Sequence, residues 1–167
     1  MIRELAWRIA AYLIACIAPL LIVIAKRRPY SHLSGYMLRY WLFNPYQHAD
    51  GTYVKQGWLG KHLPSIRVHC ILREDTDQNL HDHPWDARTV ILRGAYFEQT
   101  LTGSDWRLPG HTRAIRFGEF HRISFVDPED GDPGVFTLFF TWKYMGTWGF
   151  LVDGVKVDWR TYLGVAS

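Results

Sequence analysis

The sequence predicts an all-β fold, an antiparallel barrel or sandwich with an apolar helix at its N-terminus. About eight short apolar runs are separated by glycine, proline and aspartate, which is typical of strands joined by turns. The aromatic content of 16% suits pleated surfaces that bury large rings. With 167 residues, the chain has the length of one domain with a sizeable core.

The N-terminal segment carries the first element. Residues 9–25 contain no charged side chain, and they are bounded by Arg8 and by the basic run at 26–28. This length is at the lower limit for crossing a bilayer, and Pro19 is expected to kink a helix. Two interpretations stay open: a membrane anchor that holds the domain in the cytoplasm at the inner face of the membrane, or a helix that packs on the domain. We therefore divide the chain into residues 1–28 and a β-domain over residues 29–167.

The next segments alternate turns and strands. Residues 44–64 are rich in turn residues such as Asp50 and Gly51, and we expect mostly turns there with one short strand. In residues 65–73, Val68 alternates with Arg67 and His69, the pattern of a half-buried strand. We expect Arg67 to be exposed, although an arginine there could also bind a carboxylate or phosphate.

A pair of histidines, His81 and His83, begins the central run of residues 79–94. If this run is a strand, its period of two places both imidazoles on one face and Asp82 on the other. Two imidazoles on one face can bind a single metal ion, and a third ligand must then come from elsewhere. The run ends at Gly94, where we expect a bend between two strands.

The C-terminal half completes the strands. His121 shares the apolar face of a strand with Ile123, and residues 135–142, 148–154 and 155–163 indicate three further strands. The net charge of +3 argues against a large nucleic-acid footprint. Cys16 and Cys70 lack both a CxxC spacing and the density of a disulfide framework, which fits a reducing compartment.

The spacing of the histidines resembles the two motifs of the cupin superfamily. In the first motif an HxH pair is followed by a glycine, and here ten residues separate His83 from Gly94. In the second motif a glycine, a proline, a glycine and a histidine follow at fixed distances. The chain matches them at Gly110, Gly118 and His121, and arginine replaces the proline at position 116.

This resemblance implies a double-stranded β-helix, also called a jelly-roll barrel, with a divalent metal held by His81, His83 and His121 in its mouth. More narrowly, the HDHPW sequence and several later motifs look like a group of bacterial and phage cupin-like proteins that brings no established reaction. Iron is the favoured metal, with zinc, nickel and manganese as alternatives. Cupin barrels commonly dimerise through edge strands, so we also expect a homodimer that binds a small molecule.

Many metal cupins have a glutamate ligand shortly after the HxH pair, but Ala87 and Arg88 stand there in this chain. What remains resembles the three-histidine arrangement of the cysteine dioxygenase branch, in which positions are open for substrate and dioxygen. Glu98 and Asp86 are candidates for a fourth ligand, and His69 and His111 are not favoured as ligands. Asp82 and Asp86 are each expected to cap a turn or orient a histidine.

Three functions are compatible with this site. The leading hypothesis is a metal-dependent small-molecule enzyme, such as a mononuclear iron dioxygenase. The alternatives are a non-catalytic ligand-binding module and an enzyme resembling the nucleotide-sugar epimerases of the cupin superfamily. The candidate catalytic residues are Tyr96, Glu98 and Arg88, and an epimerase would use His81 or Tyr96 as a base.

Overall fold

The computed structural model describes residues 2–49, 52–55 and 57–165. Two helices precede the first strand, α1 (Ile2–Cys16) and α2 (Ala18–Lys26). Two shorter helices follow later in the chain, α3 (Gly57–His62) and α4 (Trp159–Leu163). The strands are β1 (Met37–Phe43), β2 (Tyr46–Ala49), β3 (Thr52–Lys55), β4 (Ser65–Ile71), β5 (Trp85–Arg93), β6 (Ala95–Thr100), β7 (Gly103–Arg107), β8 (Thr112–Ile115), β9 (His121–Asp127), β10 (Val135–Tyr144), β11 (Gly149–Val152) and β12 (Val155–Asp158). The predicted all-β fold, a jelly-roll barrel with an apolar N-terminus, is confirmed.

The larger sheet has five antiparallel strands in the order β1-β4-β10-β5-β8. Val68 in β4 pairs with Tyr40 in β1 on one side and with Leu138 in β10 on the other. Both faces of β4 are buried, so the predicted half-buried strand is wrong in one respect. The face with Arg67 and His69 points into the barrel cavity instead of into water.

In the smaller sheet, one residue of the histidine motif, His81, connects two groups of strands. Strands β7, β6 and β9 pair in that order, and His81 then joins β9 to the β11-β12 hairpin. The backbone N–H of His81 donates to the carbonyl of His121 at 2.9 Å, and His121 returns the bond at 2.9 Å. His81 also bridges to Phe150 in β11.

The predicted single run over residues 79–94 is therefore two elements. His81 belongs to the smaller sheet, whereas β5 of the larger sheet begins only at Trp85. Pro84, which has no N–H to contribute to a ladder, lies where the chain crosses between the sheets. The bend predicted at Gly94 is confirmed: this residue lies between β5 and β6 with a φ of +73°.

The N-terminal segment forms two helices where one was expected. The break follows α1 at Ile17, and Pro19 stands in the first turn of α2, where a proline without an N–H is tolerated. Small residues on the inner face of the pair pack on the outer face of the larger sheet, and the main core lies between them: Ala11, Ala18, Ile22, Ala25, Tyr40, Val68, Cys70, Val90, Leu92, Phe136, Leu138 and Phe140. Among the described residues, no single helix has the length and apolar composition of a membrane span. The two helices satisfy that criterion only as a pair, with a bend of 70°.

Two other segments differ from the sequence prediction. Within residues 44–64, the described residues form β2, β3 and α3, and the predicted turn at Asp50 and Gly51 lies outside them. Residues 155–163 begin as β12 but end as α4. The change occurs because the Asp158 side chain accepts a hydrogen bond from the N–H of Arg160 and so caps the helix.

Candidate metal centre

The three predicted ligands converge in the structure. His81 lies on its bridging segment, His83 follows two residues later, and His121 is the first residue of β9. One ring nitrogen from each histidine lies within 4.8 Å of the other two. The Nε2 atoms of His83 and His121 are 2.9 Å apart. Sheet pairing between His81 and His121 brings these residues together although they are far apart in sequence.

The donor set fits a divalent transition metal. Two imidazole nitrogens on neighbouring positions of an octahedral ion, each about 2.1 Å from it, are separated by about 3.0 Å. The observed separation of 2.9 Å between His83 and His121 matches this geometry. Three imidazoles with no carboxylate in the group are typical of zinc, iron, copper and nickel sites, and they are a poor site for calcium or magnesium.

Burial keeps two of the histidines neutral, as metal binding requires. Burial lowers the pKa of His81 to about 4, and His121 adds to this effect while Asp75 opposes it. Burial also holds the pKa of His83 well below its usual range, with further contributions from His121 and His81. At neutral pH both rings therefore present a lone pair.

Glu98 lies behind His121 and not in the cluster. Its carboxylate is fully buried, and its Oε1 accepts a hydrogen bond from His121 Nδ1 at 2.7 Å. Arg113 Nη1 donates to Oε1 at 2.6 Å, and Arg107 Nε donates to Oε2 at 2.7 Å. Burial would raise the pKa of Glu98, but the hydrogen bond from His121 and the charges of Arg113 and Arg107 lower it to about 2. An ionised Glu98 keeps the proton of His121 on Nδ1 and leaves Nε2 free to bind a metal.

The second candidate carboxylate is also engaged elsewhere. Asp86 Oδ1 accepts a hydrogen bond from the backbone N–H of Phe117 at 3.0 Å, which ties β5 to the loop before β9. Among the described residues, the cluster contains only histidines. The geometry thus gives Glu98 the role of orienting His121, and it gives Asp86 a structural role.

A cavity of about 430 Å³ opens beside the cluster, and all three histidines line it. Tyr96 lines it as well, and its hydroxyl group forms a hydrogen bond with the side chain of Thr89. Burial, together with the charge of Glu98, raises the pKa of Tyr96 above its usual range, so the phenol stays protonated at neutral pH.

The third catalytic candidate does not reach the cavity. Arg88 lies on the outer face of β5, where its Nη2 donates to Glu4 Oε1 of α1 at 2.7 Å and its guanidinium lies 4.7 Å from the centre of the Trp7 ring. Because neighbouring residues of a strand point to opposite faces, Arg88 attaches the helix while Thr89 lines the cavity.

Asp82 was expected to cap a turn or to orient a histidine, but its partners and the arginines that bind Glu98 were not predicted from the sequence. Asp82 is fully buried, where it accepts hydrogen bonds from the N–H of Gly149 at 2.7 Å and from Lys156 Nζ at 2.5 Å. It therefore fastens the histidine motif to the β11-β12 hairpin. Arg107 could have been found, because a hairpin over residues 95–107 places it diagonally opposite Glu98. Nothing in the sequence indicates the contact with Lys156.

No protein-family model and no curated protein matches the sequence. Solved structures do show similarity. A structure of DMSP lyases has 15% identity and a TM-score of 0.44, and the match covers 64% of this chain and 47% of that chain. A cupin-like protein from Thermotoga maritima has 12% identity and a TM-score of 0.46, and the match covers 75% and 89% of the two chains.

A sugar phosphate isomerase from a cupin superfamily, from Silicibacter pomeroyi, has 14% identity and a TM-score of 0.45, and the match covers 75% of each chain. These TM-scores describe a partial overlap, and the fold of this chain is defined by its own strand pairing. Two of the three structures are described as cupin proteins.

Proposed function

We propose that this chain is a metal-dependent enzyme that acts on a small molecule, with His81, His83 and His121 as ligands of one divalent ion. Iron is the favoured metal, and the mononuclear oxygenase type is the favoured reaction class. The observation that carries the proposal is the convergence of three imidazoles, without a carboxylate, on the wall of a cavity of about 430 Å³.

The residues around the cluster prepare it for such chemistry. The metal, when bound, would act as a Lewis acid or activate an oxidant at its open positions. Glu98 fixes the tautomer of His121, and Asp82 fixes the backbone that carries His81 and His83. Phe139 and Trp148 line the cavity together with the histidines, and such apolar rings limit the access of water.

Elemental analysis tests the proposal directly. Protein purified without added metal is expected to contain one iron per chain, and His81→Ala and His121→Ala are expected to lose it. His111→Ala is the matched control, because His111 is exposed and stands outside the cluster. Wild-type protein that neither retains nor takes up a stoichiometric metal would overturn the proposal.

The alternatives make different predictions in the same preparation. A non-catalytic binding module would show a ligand-induced shift of the melting temperature that a chelator does not change. An epimerase-like enzyme would need a base on the cavity wall, and the two candidates were His81 and Tyr96. Tyr96 is held protonated there by burial and by Glu98, and His81 belongs to the cluster of three imidazoles that supports metal binding. We therefore rank the metal-dependent enzyme first.

We further propose that the helix pair α1-α2 attaches the barrel to an anionic membrane surface. Its outward face exposes a run of large apolar side chains: Ile2, Leu5, Ile9, Tyr12, Leu13, Ile17, Leu20, Val23 and Ile24. Nine large exposed apolar side chains on one pair of helices indicate an interaction site. Because the inner face is buried against the larger sheet, lipid cannot surround the pair, and a position in the interface plane fits best.

Charge supports lipid as the occupant. Basic residues stand at both ends of the pair: Arg3, Arg8, Lys26, Arg27 and Arg28. Basic side chains beside an apolar helix face are attracted to anionic headgroups. Co-sedimentation with phosphatidylglycerol vesicles, and weaker binding to phosphatidylcholine vesicles, is the expected result.

The double variant Leu13→Asp and Leu20→Asp is expected to abolish vesicle binding. Leu101→Asp is the control, because Leu101 is exposed on the barrel between β6 and β7. If the helix variant instead converts a dimer into a monomer while vesicles are never bound, a second copy of the chain covers this face and the membrane proposal fails.

A further inference from the structure

Arg67 is a buried cation without an anionic partner among the described residues. It lies in β4, its side chain lines the cavity, and only 7% of its surface is exposed. Its Nε has no hydrogen-bond partner, and its Nη2 reaches only Ser65 Oγ at 3.4 Å. No carboxylate of the described residues lies within ion-pair distance of its guanidinium, whereas Arg88, Arg107 and Arg113 each have at least one.

Aromatic rings hold the Arg67 guanidinium in place. Its Cζ lies 4.6 Å from the centre of the Trp41 ring and 5.6 Å from that of Trp85. Such contacts orient a guanidinium, but they satisfy none of its N–H groups. A buried charge with free donors is costly unless a counter-ion binds there, so the side chain is arranged to receive an anion.

His69 stands two residues away on the same face of β4. It is 8% exposed, its Nε2 has no hydrogen-bond partner, and its ring stacks on Phe139 with the centroids 5.0 Å apart. His69 and Arg67 therefore present neighbouring unsatisfied polar atoms to one cavity. A neutral imidazole can add one N–H donor to those of a guanidinium.

This polar pair lies one aromatic ring away from the metal cluster. The Phe139 ring that stacks on His69 is 6.1 Å from the His83 ring, measured between centroids. The Trp85 ring near Arg67 is 6.3 Å from the same His83 ring. A small molecule can therefore contact both groups at once.

The cavity lining also contains an acidic side chain, Asp75. Its carboxylate is occupied by the Tyr36 hydroxyl at 2.5 Å and by the N–H of Ile123 at 2.7 Å. The unsatisfied donors are thus on β4, whereas the satisfied acceptor lies 3.9 Å from Nδ1 of His81, so an anionic group is favoured at β4 and not beside Asp75.

We propose that Arg67 and His69 bind the oxyanion of the substrate, a carboxylate or a phosphate, and so hold the rest of the molecule at the histidine cluster. The planar fork of the guanidinium matches both groups through paired N–H donors. The inference deepens the proposed function: anion binding follows from β4 alone, and its role in catalysis rests on the metal centre.

Small aromatic probes test the anchor. Benzoate and phenyl phosphate, which distinguish a carboxylate from a phosphate, are titrated against the full chain by calorimetry, with benzyl alcohol as the neutral control. One of the two anions is expected to bind and benzyl alcohol is not. Arg67→Met is expected to weaken the binding by about 10- to 100-fold, the size of a lost hydrogen bond to a charged group.

Two further variants keep the test decisive. Arg93→Met is the matched control, since Arg93 is paired with Glu129 and Asp132, and it should bind the anion normally. His69→Gln should reduce binding less than Arg67→Met, and it replaces that variant if Arg67→Met does not fold. Equal binding of anion and alcohol, or unchanged anion binding in both cavity variants, would overturn the anchor.

Metal content separates this inference from the proposed function. Arg67→Met should retain the metal of the wild-type protein, since Arg67 is not in the cluster. Anion binding that depends on Arg67 in a protein without metal would leave the anchor intact and remove the metal-dependent enzyme. A stoichiometric metal, together with anion binding that does not depend on Arg67 and His69, would support the metal-dependent enzyme and overturn the anchor.

Discussion

Glu98 accepts a hydrogen bond from His121 Nδ1 at 2.7 Å, on the side of the ring opposite to the nitrogen that faces His83. Glu98 is therefore placed to orient His121 and not to bind a metal itself. It sets which nitrogen of His121 carries the proton, and Arg107 and Arg113 keep the carboxylate ionised. The cluster is thus a set of three imidazoles with one charged group behind it.

We expect Glu98→Gln to weaken metal binding by about 10- to 100-fold, because a neutral amide orients and polarises His121 less well than a carboxylate. Competition with a chromogenic chelator measures the change. Glu129→Gln is the control, because Glu129 is exposed at the surface and pairs with Arg93. Affinity that is unchanged in Glu98→Gln would show that His121 needs no such support.

Acid should destabilise the metal-free protein in two stages. Burial lowers the pKa of His81 from 6.5 to about 4, and burial, reinforced by Arg67, lowers that of His69 to about 3. A depressed pKa in the folded state means that the unfolded chain binds more protons. The contribution of these two histidines is therefore complete above pH 6.5 and is lost as the pH falls through their folded pKa values.

The contribution of Glu98 is complete above pH 4.5 and is lost as the pH falls towards about 2, its folded pKa. Urea unfolding of chelator-treated protein at a series of pH values measures both stages. His69→Gln should make the loss of stability shallower between pH 6.5 and pH 4.5, where Glu98 does not yet contribute to it. A free energy of unfolding that stays constant from pH 6.5 to pH 4 would contradict this account.

We expect Gly94→Ala to destabilise the fold by more than about 2 kcal/mol. Gly94 has a φ of +73°, and a Cβ there would lie 3.0 Å from the carbonyl oxygen of Asp127 and 3.1 Å from Cγ2 of Val135. Gly35→Ala is the control, since Gly35 has a φ of +67° with open space around it. Chemical denaturation measures the free energy of unfolding of both variants. The loss in Gly35→Ala reports the backbone strain alone, and the additional loss in Gly94→Ala reports the steric clash. Equal losses in the two variants would show that the clash is relieved.

Removal of residues 2–28 is expected to abolish cooperative unfolding or to cause aggregation. The helices cover Val68, Val90 and Leu138, which are at most 4% exposed in the full chain. The double variant Leu13→Asp and Leu20→Asp, which changes only the outward face, should stay folded. Circular dichroism and size-exclusion chromatography measure both outcomes. A shortened chain that remains monomeric with the same melting temperature would show that the barrel needs no cover.

The sequence predicted the strands and the histidine set better than it predicted the surroundings. The motif spacing located His81, His83 and His121, since strand pairing holds such residues at fixed positions. The alternation of side chains along the strand also predicted correctly that Arg67 and Val68 lie on opposite faces. It did not predict that the face with Arg67 points into the barrel, because alternation distinguishes two faces but does not indicate what covers each of them.

The partners of Glu98 and the helix pair show the same limit. The alternation of side chains made Glu98 a candidate ligand, but its hydrogen bond to His121 depends on the pairing of β6 with β9, and these strands are far apart in sequence. The uncharged run at residues 9–25 indicated an apolar helix, yet it did not show that small residues such as Ala11 and Ala25 form the packed side. Hydrophobicity alone does not distinguish the face that meets protein from the face that is left exposed.

Strand β4 lies between the apolar core under the helices and the barrel cavity. Val68 and Cys70 contact the helix side, and Arg67 and His69 face the cavity. A single-residue insertion or deletion within β4 would exchange these faces, placing a guanidinium in the apolar core and valine on the cavity wall. The length of β4 should therefore tolerate no one-residue change, although individual side chains on either face can be replaced.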